Sequence, residues 1–332
     1  MVKKIEREVE QQIRAGRFHG VVLVAQNGHV WYSKAAGKAH RRKKAKIDEY
    51  SVFQLASVSK MFTATAIMLL EQDGKLNYDD TVTQHLISFP YEGVTIRNLL
   101  NHRSGLPRYM VTSDQYWPRD TMMSNQQMHN LMVAHCPDPY YPPDHRFNYQ
   151  NSNYAYLGLL VEKISGQSLP DFLRDRVFEP LEMNDTKVYS GAEDSDIPAA
   201  VWGHIRRGRR PMDPGENYIN GVFGDKGVYS NVYDLLKFDQ ALYDTVLLKP
   251  TTIQEAFKPG SPEIKEGRDN YGFGWRISAF EKDDLVYHYG WWNGFKTCVM
   301  RFQNKRYTII ALTNTDHSLT LPKRIRDILY EN

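Results

Sequence analysis

The chain has 332 residues, of which 41% are apolar and 24% charged, a balance that suits a globular protein large enough for two lobes around a sizeable core. Its net charge of +3 is small, and no apolar run approaches the roughly 18 residues that a membrane-spanning helix needs. Two cysteines, Cys136 and Cys298, make no disulfide framework and leave the redox compartment open.

Residues 1–18 place Val2, Ile5, Val9 and Ile13 at helical spacing among charged residues, which predicts an amphipathic helix and not a signal peptide. Either the protein is cytoplasmic or its leader lies outside this sequence. Apolar runs at 21–25 and 30–32 flank Asn27-Gly28, the signature of a hairpin closed by a type I′ turn. Lys38, Arg41, Arg42, Lys43, Lys44 and Lys46 then form a basic run, matched later by Arg206, Arg207, Arg209 and Arg210. Neither run is interleaved with aromatics, so both read as solvated surface loops, and no nucleic-acid partner is expected.

From Met61 to Leu70 an unbroken apolar or small run, closed by Gly74, predicts one buried helix of about four turns. Helical periods punctuated by Pro and Gly continue through 96–100, 153–164, 169–177 and 232–242. Strand composition returns at 271–277, 285–289, 295–302 and 307–312, and a helix follows near 321–330. The pattern predicts an α+β fold: an antiparallel β-sheet flanked by helices, with an inserted, mostly helical lobe. Residues 1–60 and 225–332 would build the sheet lobe and 61–224 the helical lobe, with the ligand cleft between them.

Ser57 and Lys60 stand three residues apart at the head of the buried helix, on one face. A hydroxyl is a poor nucleophile until a base takes its proton, and a lysine desolvated beside such a helix can be that base. The N–H groups and positive dipole end of a helix N-terminus suit a developing oxyanion. Tyr149-Gln150-Asn151 offers a second proton-handling group and an amide able to hold a substrate carbonyl and the Lys60 ammonium together. Tyr-x-Asn also occurs at Tyr218 and Tyr229, so the pattern alone does not single out Tyr149. His288-Tyr289-Gly290, in a predicted strand, joins an imidazole able to donate to a carboxylate with a glycine that permits close backbone approach. There is no Gly-x-Ser-x-Gly elbow and no phosphate-binding glycine loop. His129, His135, Cys136 and His145 lack a zinc-ligand spacing, so neither a metal nor a cofactor is expected.

Taken in order, Ser57-x-x-Lys60, Tyr149-x-Asn151 and His288-x-Gly290 resemble the penicillin-recognising serine hydrolases, in the branch of class C β-lactamases, D-alanyl-D-alanine carboxypeptidases, D-aminopeptidases and esterases. Residues 53–60, 95–107, 149–158, 227–238 and 271–275 are similar to the same family. The resemblance implies a β-lactamase/transpeptidase-like fold, with Ser57 as the acylated nucleophile and Lys60 as its activating neighbour. Tyr149 would be the general base or the acid that protonates the leaving group, and Asn151 an amide ligand. His288 would hold the cation position of the third motif beside Gly290, with the N–H groups of Ser57 and Trp291 forming the oxyanion hole. Which of Lys60 and Tyr149 takes the proton is a coupled titration.

Two departures stand out. His288 replaces a lysine, so permanent positive charge is reduced at neutral pH, and Trp291-Trp292 follow the glycine where small residues are usual, which would narrow the pocket. Both count against an efficient β-lactamase. The resemblance therefore implies a metal-free serine hydrolase working through an acyl-enzyme on an amide or ester. A D-amino-acid-containing peptide of the cell-wall type leads, with β-lactams and small esters next. A non-catalytic binding or scaffold protein that keeps the fold is the alternative of another class. A small-molecule or peptide substrate is the expected partner, the oligomeric state is open, and the resemblance favours a periplasmic or cell-envelope location.

Overall fold

The computed structural model describes residues 1–40, 45–189, 201–207, 210–212, 214–215 and 217–331. The chain opens with α1 (Val2–Arg14), β1 (Gly20–Gln26) and β2 (His29–Ala36); β3 (Phe53–Gln54) then leads through a single 3-10 turn, Ala56–Ser59, into α2 (Lys60–Gln72). Next come α3 (Val82–His85), α4 (Ile96–Leu100), α5 (Tyr109–Tyr116), α6 (Asn125–His135), α7 (Asn151–Ser165), α8 (Leu169–Leu173) and β4 (Lys187–Val188). Short strands β5 (Ile205–Arg207), β6 (Arg210–Met212) and β7 (Val228–Ser230) precede α9 (Val232–Ala241) and α10 (Pro250–Ala256). The order is completed by β8 (Asn270–Tyr271), β9 (Arg276–Ile277), β10 (Leu285–Trp292), β11 (Phe295–Phe302), β12 (Tyr307–Thr313) and α11 (Leu321–Leu329).

The main sheet runs β2-β1-β12-β11-β10-β9-β8 and is antiparallel throughout. Strand β1 is apolar at every position from Val21 to Ala25 because both of its faces are covered. Val21, Leu23 and Ala25 join the core that contains α2, whereas Val22 and Val24 pack with Ile5 and Val9 of α1 and Ile325 and Leu329 of α11. Each such side chain taken wholly out of water contributes about 1.5–3 kcal/mol. The β1–β2 turn has Asn27 at φ 49° and Gly28 at φ 75°, the left-handed pair that a type I′ hairpin demands. Helix α2 is buried along its whole length from Lys60 to Leu70, as a helix apolar on all sides must be.

Three expectations are corrected. The strand expected over 271–277 is two short strands, β8 and β9, joined by a turn in which the Gly272 N–H donates to the Trp275 carbonyl at 2.8 Å. Phe273 and Trp275 are buried there, so a turn pressed into the core carries the composition of a strand. The helix expected over 169–177 is α8 followed by one wider turn, Arg174–Phe178. Of the second basic run, Arg206, Arg207 and Arg210 lie on the paired strands β5 and β6 and not in a loop; Arg41, Arg42, Lys43, Lys44 and Arg209 lie outside the described residues.

Candidate active site

Ser57 sits half-exposed in the 3-10 turn that feeds α2. The residue before it, Ala56, has φ 52°, a left-handed conformation that costs a non-glycine residue of order 1–3 kcal/mol. Surrounding bonds hold it there. The Leu55 N–H donates to the Val228 carbonyl at 2.8 Å, the Thr297 hydroxyl donates to the Leu55 carbonyl at 2.6 Å, and the Val228 N–H donates to Ser59 Oγ at 3.1 Å. The turn that carries Ser57 is thus tied to β7 on one side and β11 on the other.

Lys60, fully buried at the first position of α2, places Nζ 3.1 Å from Ser57 Oγ. The same nitrogen reaches Asn151 Oδ1 at 2.9 Å and the Asp225 carbonyl at 2.7 Å. Asn151 opens α7, and among the described residues its Nδ2 has only the Met110 sulfur, at 3.9 Å, as a partner. That amide N–H is available to a ligand carbonyl. The ring of Tyr149 lies 5.2 Å from Lys60 Nζ. The segment leading to Tyr149 is tethered by Asn148 N to the His102 carbonyl at 2.8 Å and Phe147 N to Glu263 Oε1 at 2.7 Å, while Arg103 pairs with both Asp144 and Glu263. Of the Tyr-x-Asn sequences at Tyr149, Tyr218 and Tyr229, only the first meets Lys60: Tyr218 bonds Asp114, and Asn231 caps α9.

Strand β10 closes the site. Counting from its turn at Asn293-Gly294, Trp292 and Phe295 form the closing hydrogen-bonded pair, so the N–H and C=O of Tyr287, Tyr289 and Trp291 point away from β11. Strand β9 meets β10 only at Val286 and Tyr287, which leaves Tyr289 and Trp291 on an open edge. Gly290 brings that edge against the turn that carries Ser57: a Cβ there would lie 2.3 Å from the Leu55 carbonyl oxygen and 2.2 Å from Thr297 Oγ1. His288 is 1% exposed, with Nδ1 at 2.8 Å from the Tyr289 carbonyl and Nε2 at 3.0 Å from the Tyr271 hydroxyl. The carbonyl can only accept, so Nδ1 carries the proton and Nε2 accepts from Tyr271. Burial, reinforced by the charges of Arg276 and Lys60, holds the imidazole pKa well below its ordinary value. His288 is therefore neutral, with both nitrogens already engaged by the protein.

Strand alternation also corrects the expected narrowing by two tryptophans. Trp291 is 71% exposed, on the face opposite His288 and Gly290, whereas Trp292 lies on the site side with its ring 5.1 Å from Lys226 Nζ.

With this geometry fixed, comparison with known proteins identifies the family. Residues 5–330 match the family described as Beta-lactamase. The chain belongs to that family of serine hydrolases. Penicillin-binding protein 4* of Bacillus subtilis (strain 168) is 36% identical over 329 residues, which cover 95% of this chain and 73% of that protein. The octameric penicillin-binding protein homologue from Pyrococcus abyssi superposes with a TM-score of 0.84 at 24% identity, over 100% of this chain and 78% of the other. D-amino acid amidase from Ochrobactrum anthropi SV3, complexed with L-phenylalanine amide, does so with a TM-score of 0.79 at 24% identity, over 98% and 95% respectively. These superpositions establish the β-lactamase/transpeptidase fold.

Four residues that the motifs do not name complete the surroundings in this β-lactamase-family chain. His102, fully buried, has its ring centroid 4.2 Å from that of Tyr149, with the planes tilted by 40°, and accepts from Asn153 Nδ2 at 2.8 Å; burial foremost keeps it neutral too. The Arg276 guanidinium lies 5.2 Å from the centroid of the same phenol ring and makes no ion pair with a described residue. Asp225 and Lys226 form a buried ion pair at 3.3 Å beside Lys60. Their signal in the sequence is a charged pair between two glycines inside an otherwise apolar stretch, Val222 to Val228. Arg108, Tyr109, Met110, Tyr149, Gln150 and Asn151 line a cavity of about 260 Å³ on this side of Lys60. Among the described residues no three His, Cys, Asp or Glu side chains are grouped to hold a metal ion, and no helix is long and apolar enough to cross a membrane.

Proposed function

We propose that the protein hydrolyses an amide or ester through an acyl-enzyme on Ser57, and that its leading substrate is a peptide ending in a D-amino acid with a free carboxylate. The observation that carries this is the placement of Lys60 Nζ between Ser57 Oγ, Asn151 Oδ1 and the Asp225 carbonyl. Lys60 takes the hydroxyl proton as Ser57 attacks the substrate carbonyl. The N–H groups of Ser57 and Trp291 receive the oxyanion, which in such sites supplies the largest single share of the acceleration. The Tyr149 phenol gives its own proton to the leaving amine or alcohol and is reprotonated by the neighbouring Lys60 ammonium; water then releases the acid by the reverse route.

Asn151 Nδ2 would hold the substrate amide carbonyl. The carboxylate would meet Arg276 and not His288, whose nitrogens are engaged. A guanidinium 5.2 Å over the Tyr149 ring, with no ion pair among the described residues, favours an acidic peptide end over a neutral ester. In this reading residues 1–60 with 225–332 form the sheet lobe, 61–224 the helical lobe, and the cleft between them takes the substrate. The names of two relatives, a penicillin-binding protein and a D-amino acid amidase, support the substrate class. The test is a panel of D-Ala-D-Ala peptides, nitrocefin and p-nitrophenyl esters against wild type and Ser57→Ala. Turnover of the D-peptide that vanishes in Ser57→Ala supports the proposal; turnover that survives the substitution, or none with any acyl donor, refutes it.

A further inference from the structure

We infer that Asp225 and Lys226 are positioning residues that aim the Lys60 lone pair at Ser57. The inference rests on Lys60 being the base. To take the Ser57 proton, Lys60 must turn its lone pair, and not an N–H, toward the hydroxyl. A primary amine has two N–H bonds and one lone pair in tetrahedral array. Asn151 Oδ1 at 2.9 Å and the Asp225 carbonyl at 2.7 Å occupy two of these directions, and the remaining one faces Ser57 Oγ at 3.1 Å. Should the carbonyl move away, an N–H is free to rotate onto Ser57, and the hydroxyl is then solvated and not deprotonated.

The backbone on either side of Asp225 is pinned. Asn125 bonds both the carbonyl and the N–H of Phe223, at 2.9 and 2.7 Å, and the Thr63 hydroxyl donates to the Gly224 carbonyl at 2.8 Å. Gly224 itself, at φ 102°, lies where a Cβ would fall 2.2 Å from the Tyr154 carbonyl. The Asp225–Lys226 peptide has no strand or helix to hold it, and its side chains supply the anchor. Lys226 Nζ donates to Tyr109 Oη at 2.9 Å, to the Val222 carbonyl at 3.2 Å and to Asp225 Oδ1 at 3.3 Å, and the Tyr109 hydroxyl donates to Asp225 Oδ2 at 3.1 Å. Asp225, Lys226 and Tyr109 are all buried. A buried ion pair is a costly way merely to stabilise a loop, since apolar side chains of similar volume serve as well or better. What it adds here is a fixed direction for one carbonyl.

The experiment times phosphonylation of Ser57 by a fluorophosphonate, with loss of fluoride, and acylation in steady-state ester hydrolysis, in Lys226→Met, Asp225→Asn and the charge-balanced Asp225→Asn/Lys226→Met. Each is made with Lys60 present and in a Lys60→Ala background, and Tm is recorded for all. With Lys60 present, variants that remain folded should acylate roughly 10–100-fold more slowly, with KM unchanged, the range expected of a misplaced catalytic group. In the Lys60→Ala background the same substitutions should change the rate by less than about twofold, because the group they aim is gone. Equal slowing in both backgrounds, or folded variants that acylate at the wild-type rate, overturns the inference. If Lys60→Ala labels too slowly to time, the split between kcat and KM decides: loss in kcat alone supports it, and loss in KM or Tm alone overturns it. Labelling indifferent to Ser57→Ala or Lys60→Ala would instead sink the proposed function, so the two failures are distinct.

Discussion

Replacing Gly290 by alanine tests the oxyanion geometry at its tightest point. The new Cβ would stand 2.3 Å from the Leu55 carbonyl oxygen and 2.2 Å from Thr297 Oγ1. Leu55 cannot yield easily, because its carbonyl also accepts the Thr297 hydroxyl and its N–H is bonded to Val228. Strand β10 must therefore retreat by about 0.7 Å or more to reach a tolerable contact. A Trp291 N–H lying about 2.9 Å from the oxyanion would then stand near 3.6 Å, beyond hydrogen-bond range. Loss of one oxyanion donor costs about 2.7–4 kcal/mol in the transition state, or 100–1,000-fold in kcat. Overpacking would separately lower stability by about 1–3 kcal/mol. Burst kinetics with p-nitrophenyl acetate at a temperature well below Tm separate the two effects. A Gly290→Ala enzyme that acylates within about threefold of wild type would refute the assignment of Trp291 N–H to the oxyanion hole.

Two further outcomes follow from the charges around Tyr149. Arg276→Gln should raise KM for a D-peptide carrying a free carboxylate by roughly tenfold or more while leaving a neutral ester unaffected; equal effects on both would remove Arg276 from the carboxylate site. His102 and His288 are both held neutral, first by burial. Unfolded, each imidazole binds a proton below its ordinary pKa of about 6.5, so the unfolded state gains protons and stability falls as pH drops through that value. At pH 5.5 each histidine should lower stability by about 1.4 kcal/mol relative to pH 7.5, with no contribution above pH 7. Urea unfolding at the two pH values measures this, and His288→Gln should lose about half of the two-histidine share; an unchanged pH dependence in that variant contradicts it.

The meeting of the candidate site residues was legible because they are side chains at helical and motif spacing: Ser57 and Lys60 on one turn, Tyr149 and Asn151 at the head of α7. The sheet was legible from β1 and β12, whose unbroken apolar runs reflect cover on both faces. What the sequence conceals is mostly backbone and environment. The Asp225 carbonyl that Lys60 bonds leaves no trace in residue type. His288 carries an imidazole that neutral water would partly protonate, and only burial and the partners Tyr271 and Tyr289 make it a neutral strut. Arg276 reads as one more strand residue until the fold sets its guanidinium over Tyr149. The exposure of Trp291 follows from strand alternation, but only once the register of β10 is known.

The most direct measurement is mass spectrometry of the protein after reaction with a fluorophosphonate or a fluorescent penicillin, followed by peptide mapping. One adduct per chain, on the peptide that contains Ser57 and absent in Ser57→Ala and strongly reduced in Lys60→Ala, is the expected result. An adduct on another residue, or undiminished labelling of Ser57→Ala, would show that this hydroxyl is not the nucleophile.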